Sequence, residues 1–177
     1  MANREALREL QARLAKRLQT AQSEGMSVSW LAVRSGGANY LLPLGQAGEI
    51  MPLSPVQVVP YSKPWFKGVL NVRGNLLGVV DLAEFVAACG GPRRVSAPPA
   101  QDASVVTLNA QLEVNCALRV DALSGLRGAD AFARSEVPGS DAPSFYGSCF
   151  IDSEGGRWQE INLRVLSRFA PFLSIGA

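Results

Sequence analysis

The sequence predicts a mainly β protein made of two similar lobes and led by a single helix. Three observations carry that prediction: an opening segment with helical leucine spacing, short β-rich stretches punctuated by Gly, Pro and Asn after residue 25, and strand and turn signals that recur in the same order in the second half. At 177 residues and 47% hydrophobic content the chain can bury a real core as one domain, or as two small lobes sharing a core.

Residues 3–22 read as a helix with Asn3 as its N-cap. Leu7, Leu10, Leu14 and Leu18 recur at spacings of three and four, so they form one stripe, while Arg13, Lys16 and Arg17 occupy the other face. Such a stripe can pack on its own domain or dock on another chain. Past Gly25, Ser27 and Ser29 alternate with Val28, Trp30 and Ala32, Gly36-Gly37 marks a turn, and Tyr40 to Leu44 makes the returning strand. Pro52, Pro55, Pro60 and Pro64 then punctuate a connection around Val56, Val58 and Val59. A second hairpin runs from Gly68 to Val80 and is expected to turn at Gly74-Asn75. Asp81 caps a helix reaching about Cys89, with Glu84 completing a capping-box-like pair. Residues 90–103 (GGPRRVSAPPAQDA) have no apolar period and read as a linker.

The second half repeats this grammar. Val105 to Leu108 and Leu112 to Val120 correspond to the first strand pair, and a loop to Pro138 corresponds to the one leading to Pro60. Phe145-Tyr146-Gly147 echoes Phe66-Lys67-Gly68, a strand pair turns at Glu154-Gly155-Gly156, and a short helix starts near Asn162 as one starts at Asp81. The expected organisation is therefore a helix over 1–24, a first lobe over about 25–89, a linker over 90–103 and a second lobe over about 104–177.

Several function classes are disfavoured. With 17 Lys plus Arg against 15 Asp plus Glu, the net charge of +2 gives little pull toward nucleic acid or membrane. There is no histidine, which removes the commonest general base, the commonest transition-metal ligand and every Ser-His or Cys-His pair. Cys89, Cys116 and Cys149 have no metal-ligand spacing and read as buried free thiols of a reducing compartment. With a charged opening and no long apolar run, the chain is expected to be cytoplasmic. Phosphate-cradling loops, nucleophile elbows and calcium loops are absent, so no catalytic residue, metal or cofactor is expected. Asp121, after the strand-like Ala117 to Val120, reads as a turn former or, alternatively, a catalytic acid. A small-barrel nucleic-acid binder remains the alternative class, although Lys63, Lys67 and Arg93-Arg94 are scattered rather than interleaved with aromatics.

The stretch from Gly68 to Leu82 (GVLNVRGNLLGVVDL) places one guanidinium, that of Arg73, beside a tight hairpin with apolar flanks. Its planar fork suits paired hydrogen bonds to a partner, or it is a solvated surface arginine. This stretch resembles the most diagnostic segment of CheW-like domains, the coupling proteins of bacterial chemosensory arrays. Ala47-Gly48-Glu49-Ile50 resembles that family's V-x-E-I element, with Ala47 at a position that is usually valine. Val59-Pro60 and Pro64-Trp65-Phe66-Lys67-Gly68 follow its proline-to-glycine run, and Ala117 to Leu123 its second-lobe strand, so the resemblance covers about 27–173.

The resemblance implies two intertwined five-stranded β-barrels of SH3-like form, with strands exchanged between the lobes and a short helix ending each. It also implies a non-enzymatic adaptor between the cytoplasmic tip of a methyl-accepting chemoreceptor and the regulatory domain of a CheA-like histidine kinase. Membrane association would be only indirect, through receptor arrays at the inner membrane. Ala47, Glu49, Gly68 and Arg73 fall on motif positions implicated in receptor binding, while the kinase-binding residues stay unassigned. Gly78 stands where proline is usual, and Gln159-Glu160-Ile161-Asn162 where L-L-D is usual. With the leading helix, these features resemble the adaptors of type IV pilus pathways that control twitching motility, the PilI type, more than the flagellar coupling protein.

Overall fold

The computed structural model describes residues 2–24, 28–95 and 102–177. Helix α1 (Ala2–Glu24) is followed by β1 (Val28–Ser35), β2 (Ala38–Pro43), β3 (Ala47–Pro52), β4 (Phe66–Val72), β5 (Asn75–Asp81) and α2 (Leu82–Ala88). The second half contributes β6 (Ser104–Leu108), β7 (Cys116–Val120), β8 (Ala122–Gly128), β9 (Phe132–Glu136), β10 (Tyr146–Asp152), β11 (Arg157–Ile161), α3 (Leu163–Leu166) and α4 (Ala170–Leu173). Gly25 and Ser27, expected at the helix-to-strand transition, lie outside the described residues, as do linker positions 96–101.

These strands form two sheets, ordered β8-β1-β2-β11-β10-β9 and β3-β6-β7-β5-β4. Superimposing β8-β1-β2-β11-β10 on β3-β6-β7-β5-β4 matches each strand of one half with its sequence counterpart in the other, and only β9 has no counterpart. The repeat inferred from turn chemistry is thus a real architectural repeat, and each sheet draws strands from both halves. Parallel pairs, β2 with β11 and β5 with β7, join the contributions of the two halves within each sheet.

Burial on both faces explains why the strands read as apolar runs rather than clean alternations. The largest cluster lies between the sheets and includes Leu31, Leu42, Val80, Phe85, Leu118, Phe145 and Ile161. Phe85 packs edge-on against Trp65 and Phe172, with ring centroids 4.9 and 5.2 Å away. A second cluster, on the far face of the β3–β4 sheet, contains Leu70, Val79, Val105 and Ala117. The third fills the hollow of the six-stranded sheet with Ala32, Leu41 and Trp158 beneath Trp30, Phe132 and Phe150. Trp30 on β1 lies 4.7 Å from Phe150 on β10, so this sheet curls strongly. It does not close, since β8 and β9 are its unpaired ends; the expected five-stranded barrels are instead open sheets of six and five strands.

Local chemistry sets the elements. The β1–β2 turn uses Gly36 and Gly37 at φ 63° and 87°, the paired positive φ of a hairpin turn whose twist matches its strands. Asp81 caps α2 as expected, accepting from the Glu84 backbone N–H at 3.0 Å. The capping box is incomplete because the Asp81 N–H is already taken by the Trp65 carbonyl, and the Glu84 carboxylate pairs with Lys67 instead. Asn162 repeats the arrangement, with its N–H on the Phe145 carbonyl and its side chain capping the Val165 N–H.

Helix α1 begins at Ala2, so Asn3 lies inside it rather than capping it. Leu14 and Leu18 are buried, Leu7 is half-buried and Leu10 is 49% exposed, so the stripe faces its own domain through its C-terminal half. Full burial of a leucine contributes about 1.5–3 kcal/mol, so this anchor is modest for a helix of 23 residues. Other expectations need correction. The strand expected from Leu112 is a 3-10 turn at Ala110–Leu112 followed by β7, and the expected loop to Pro138 contains β8 and β9. Strand β3 ends at Pro52, the first of the prolines read as a connection. Of the three free thiols only Cys116 is buried; Cys89 and Cys149 are half-buried. Among the described residues, no helix is long and apolar enough to cross a membrane.

Candidate functional site

The β4–β5 hairpin turns one residue earlier than expected. Arg73 and Gly74 form its two-residue loop at φ 52° and 86°, and Val72 pairs directly with Asn75. Asn71 fixes the turn by accepting from the Gly74 N–H at 2.9 Å. A non-glycine residue held in the left-handed region costs about 1–3 kcal/mol, so the arginine sits where the backbone would favour another residue.

That conformation aims the guanidinium across the sheet. Arg73 Nη1 donates to Glu49 Oε1 at 2.8 Å, with the side chains 76% and 43% exposed. An exposed pair of this kind contributes about 0–1 kcal/mol, so it orients two groups rather than holding the fold. Glu49 sits at a register shift in β3, where pairing with β6 passes from Ala47↔Leu108 to Ile50↔Val106. Its backbone N–H donates to Thr107 Oγ1 at 2.7 Å, which locks the bulge.

Between the bulge and the hairpin lies an open groove of about 370 Å³, bordered by Glu49 and Arg73 and floored by Met51, Val72, Leu77 and Val114. Cys116 also lines it, but burial pushes its thiol up to about 12, which leaves it inert at neutral pH. No metal-binding cluster of Cys, Asp or Glu occurs among the described residues. An apolar floor with a fixed charge pair on its rim suits contact with the side of a partner helix.

The structure thus brings Glu49 and Arg73 together, and treats the other two receptor-site candidates differently. Ala47 is wholly buried in the core behind β3, so its surface is closed to a partner. Gly68 lies five residues down β4 from Arg73, about 16 Å along the strand, and outside the groove. Its φ is +133°, and a Cβ there would overlap the Gln57 carbonyl oxygen. Gln57 and Val69 exchange two backbone hydrogen bonds of 2.9 Å at this close approach, so Gly68 has a backbone reason of its own.

One constellation went unread in the sequence. Arg94, in the segment taken as linker, grips both Asp81, through Nη2 at 2.7 Å, and Asp121, through Nη1 at 2.9 Å. Arg119 Nη1 completes the square at 2.6 Å from Asp81 and 3.1 Å from Asp121. Asp121 also accepts from the Gly36 N–H at 2.7 Å, so its side chain is a buried tie between sheets rather than a local turn former. Burial alone would raise the Asp81 pKa, but hydrogen bonds from Arg94 and the Glu84 N–H, with the charges of Arg94 and Arg119, hold it below its ordinary value. A signal for this square was present: Val80-Asp81 and Val120-Asp121 end two apolar strands alike, and those strands prove to be parallel neighbours.

Three of the four scattered cations weighed for nucleic acid have internal partners, while Arg93 is exposed. Arg94 is spent in the square, Lys67 pairs with Glu84, and Lys63 sits 5.9 Å over the Trp65 ring.

A family model described as the CheW-like domain matches residues 29–167. Protein PilI of Pseudomonas aeruginosa is 38% identical over 82 residues, which cover 46% of this chain and 46% of that protein. The match therefore spans about half the length of that curated relative. The crystal structure of the scaffolding protein TtCheW from Thermoanaerobacter tengcongensis aligns with a TM-score of 0.59 at 16% identity, over 77% of this chain and 89% of that one. That last likeness is one of fold.

Proposed function

The chain belongs to the CheW-like domain family, and from that premise we propose that it is a non-enzymatic adaptor of a chemosensory array. It couples the cytoplasmic tip of a methyl-accepting receptor to the regulatory domain of a histidine kinase, in a pathway that controls type IV pilus twitching motility. The pilus assignment draws on the likeness to PilI. The protein works in the cytoplasm and reaches the inner membrane only through the receptor.

The observation that carries this reading is the Arg73–Glu49 pair on the rim of an apolar groove. A receptor helix lying in the groove buries apolar side chains on Met51, Val72 and Leu77, while Arg73 and Glu49 fix its register by complementary polar contacts. A groove of this size makes a contact at the lower end of specific interfaces, about 1,200 Å² or less in total, as suits a coupling that must form and break. Ala47 backs the site from the core side of β3.

The test is affinity capture from native cytoplasm with mass spectrometry, using tagged wild type beside Arg73→Glu. Wild type recovers a histidine kinase and a methyl-accepting receptor, and the variant, folded by circular dichroism, keeps the kinase and loses the receptor. Normal receptor recovery by the folded variant removes the groove from the interface, and recovery of neither partner by wild type overturns the adaptor reading.

A further inference from the structure

No described residue of helix α1 lines the groove, yet the helix is anchored on β3, the strand that carries Glu49. It packs against β3 and, less extensively, against β8. These are structurally equivalent strands, each at the end of its sheet. Leu14 and Leu18 enter the same buried cluster as Ala47 and Ile50 of β3. Gln11 Nε2 donates to Ser104 Oγ at 2.7 Å, a buried bond onto the first residue of β6, the partner strand of β3.

Strand β3 needs such support. Its ladder with β6 is broken at the bulge that carries Glu49, and among the described strands it is an end strand of its sheet. An edge strand with a disrupted ladder has few bonds to resist local opening. We infer that α1 is a positioning element for the Glu49–Arg73 site: by packing on β3 through Leu14 and Leu18 and tying to β6 through Gln11, it holds the bulge that presents Glu49 and so sets partner affinity without touching the partner. This inference rests on the adaptor reading for its functional half and on the structure of the free chain for the other.

The experiment has two readouts on the full chain. Hydrogen–deuterium exchange reports the amides of residues 47–52 without any partner, and titration calorimetry reports affinity for a soluble receptor-tip fragment. Leu18→Ser raises exchange across β3 by about tenfold or more, as local opening becomes easier, and weakens tip binding by a similar factor. Leu18→Met restores both. Phe150→Leu, placed in the separate cluster of the six-stranded sheet, matches a general loss of stability while leaving β3 exchange and tip affinity unchanged. Gln11→Ala, a milder cut in the same anchor, carries the test if Leu18→Ser does not fold. Wild-type exchange in β3, or tip affinity no lower than in Phe150→Leu, overturns the proposal. If wild type itself fails to bind the tip, the adaptor reading falls, and the exchange readout alone decides whether α1 holds β3.

Discussion

Replacing Arg94 with methionine keeps an apolar stem of similar reach and removes the charge from the buried square. The perturbation strands two carboxylates whose side chains are 1% and 10% exposed, Asp81 and Asp121, on the single guanidinium of Arg119. Removing one partner from a buried ion network costs about 3–5 kcal/mol, because the remaining charge keeps its desolvation penalty without its partner. Protonation sets a ceiling on that cost. Neutralising one carboxyl of ordinary pKa 3.8 at pH 7 takes about 4.4 kcal/mol at 1.36 kcal/mol per unit, so any larger penalty is relieved by proton uptake. The expected loss at pH 7 is therefore about 3–4 kcal/mol, a large share of the total stability of a domain.

The same reasoning fixes the pH dependence. The folded pKa of Asp81 is depressed, so its contribution is fully present above the ordinary carboxylate value and is lost as pH falls through the lower, folded one. In Arg94→Met the stranded, buried carboxyl is the group that takes up a proton as pH drops toward about 4, so the gap to wild type should narrow over that range, while wild type keeps its own Asp81 contribution until pH falls below the ordinary carboxylate value. Urea unfolding at pH 7 and at several pH values down to 4 measures both quantities. A loss under about 1 kcal/mol at pH 7, or a loss that does not change with pH, would refute the claim that Arg94 holds the junction electrostatically.

Three further outcomes follow from the geometry. Arg73→Asn places Asn before Gly74 in a turn that favours that pair, so thermal unfolding should show a gain of up to about 1 kcal/mol while receptor binding falls. Gly68→Ala forces a Cβ onto the Gln57 carbonyl at a φ that side chains rarely adopt; urea titration should show a loss of about 2 kcal/mol or more, with hydrogen exchange rising first at Gln57 and Val69. With its thiol at about 12, Cys116 is about one part in ten thousand thiolate at pH 8 and should resist alkylation until urea unfolds the chain, as read by intact mass.

What could be read in advance was what local chemistry dictates. Leucine spacing announces α1, Gly36-Gly37 announces the first hairpin, and Asp81 announces α2, because each acts within a few residues of itself. The second hairpin was legible but shifted by one, since Asn75 and Arg73 flank Gly74 and asparagine is the commoner turn residue; pairing of Val72 with Asn75 decides otherwise. Strands β8 and β9 were not legible. Their residues are half-buried or exposed throughout β8 and β9, with no alternation to reveal them, and β8 owes its conformation to the ladder with β1 rather than to its own propensity. The site was half legible. Glu49 and Arg73 were singled out through the family motif, but only tertiary structure brings residues 24 positions apart into contact. Arg94 was hidden because its segment is punctuated by Gly and Pro, and nothing in local composition announces partners at Asp81 and Asp121.

The crossed strand order also bears on ancestry. The first half, through α2, supplies one copy of each of five strand positions, and the second half supplies another, with β9 as an addition. One such half on its own could finish neither sheet, because the neighbours of its β1–β2 and β4–β5 hairpins all come from the other half. Two identical halves, each lending its third strand and its second hairpin to the other, would complete both sheets about a two-fold axis as a swapped homodimer. The present chain has the topology such a dimer acquires when its subunits are fused end to end, and the parallel junctions β2–β11 and β5–β7, with the antiparallel ones β1–β8 and β3–β6, mark where one ancestral subunit met the other.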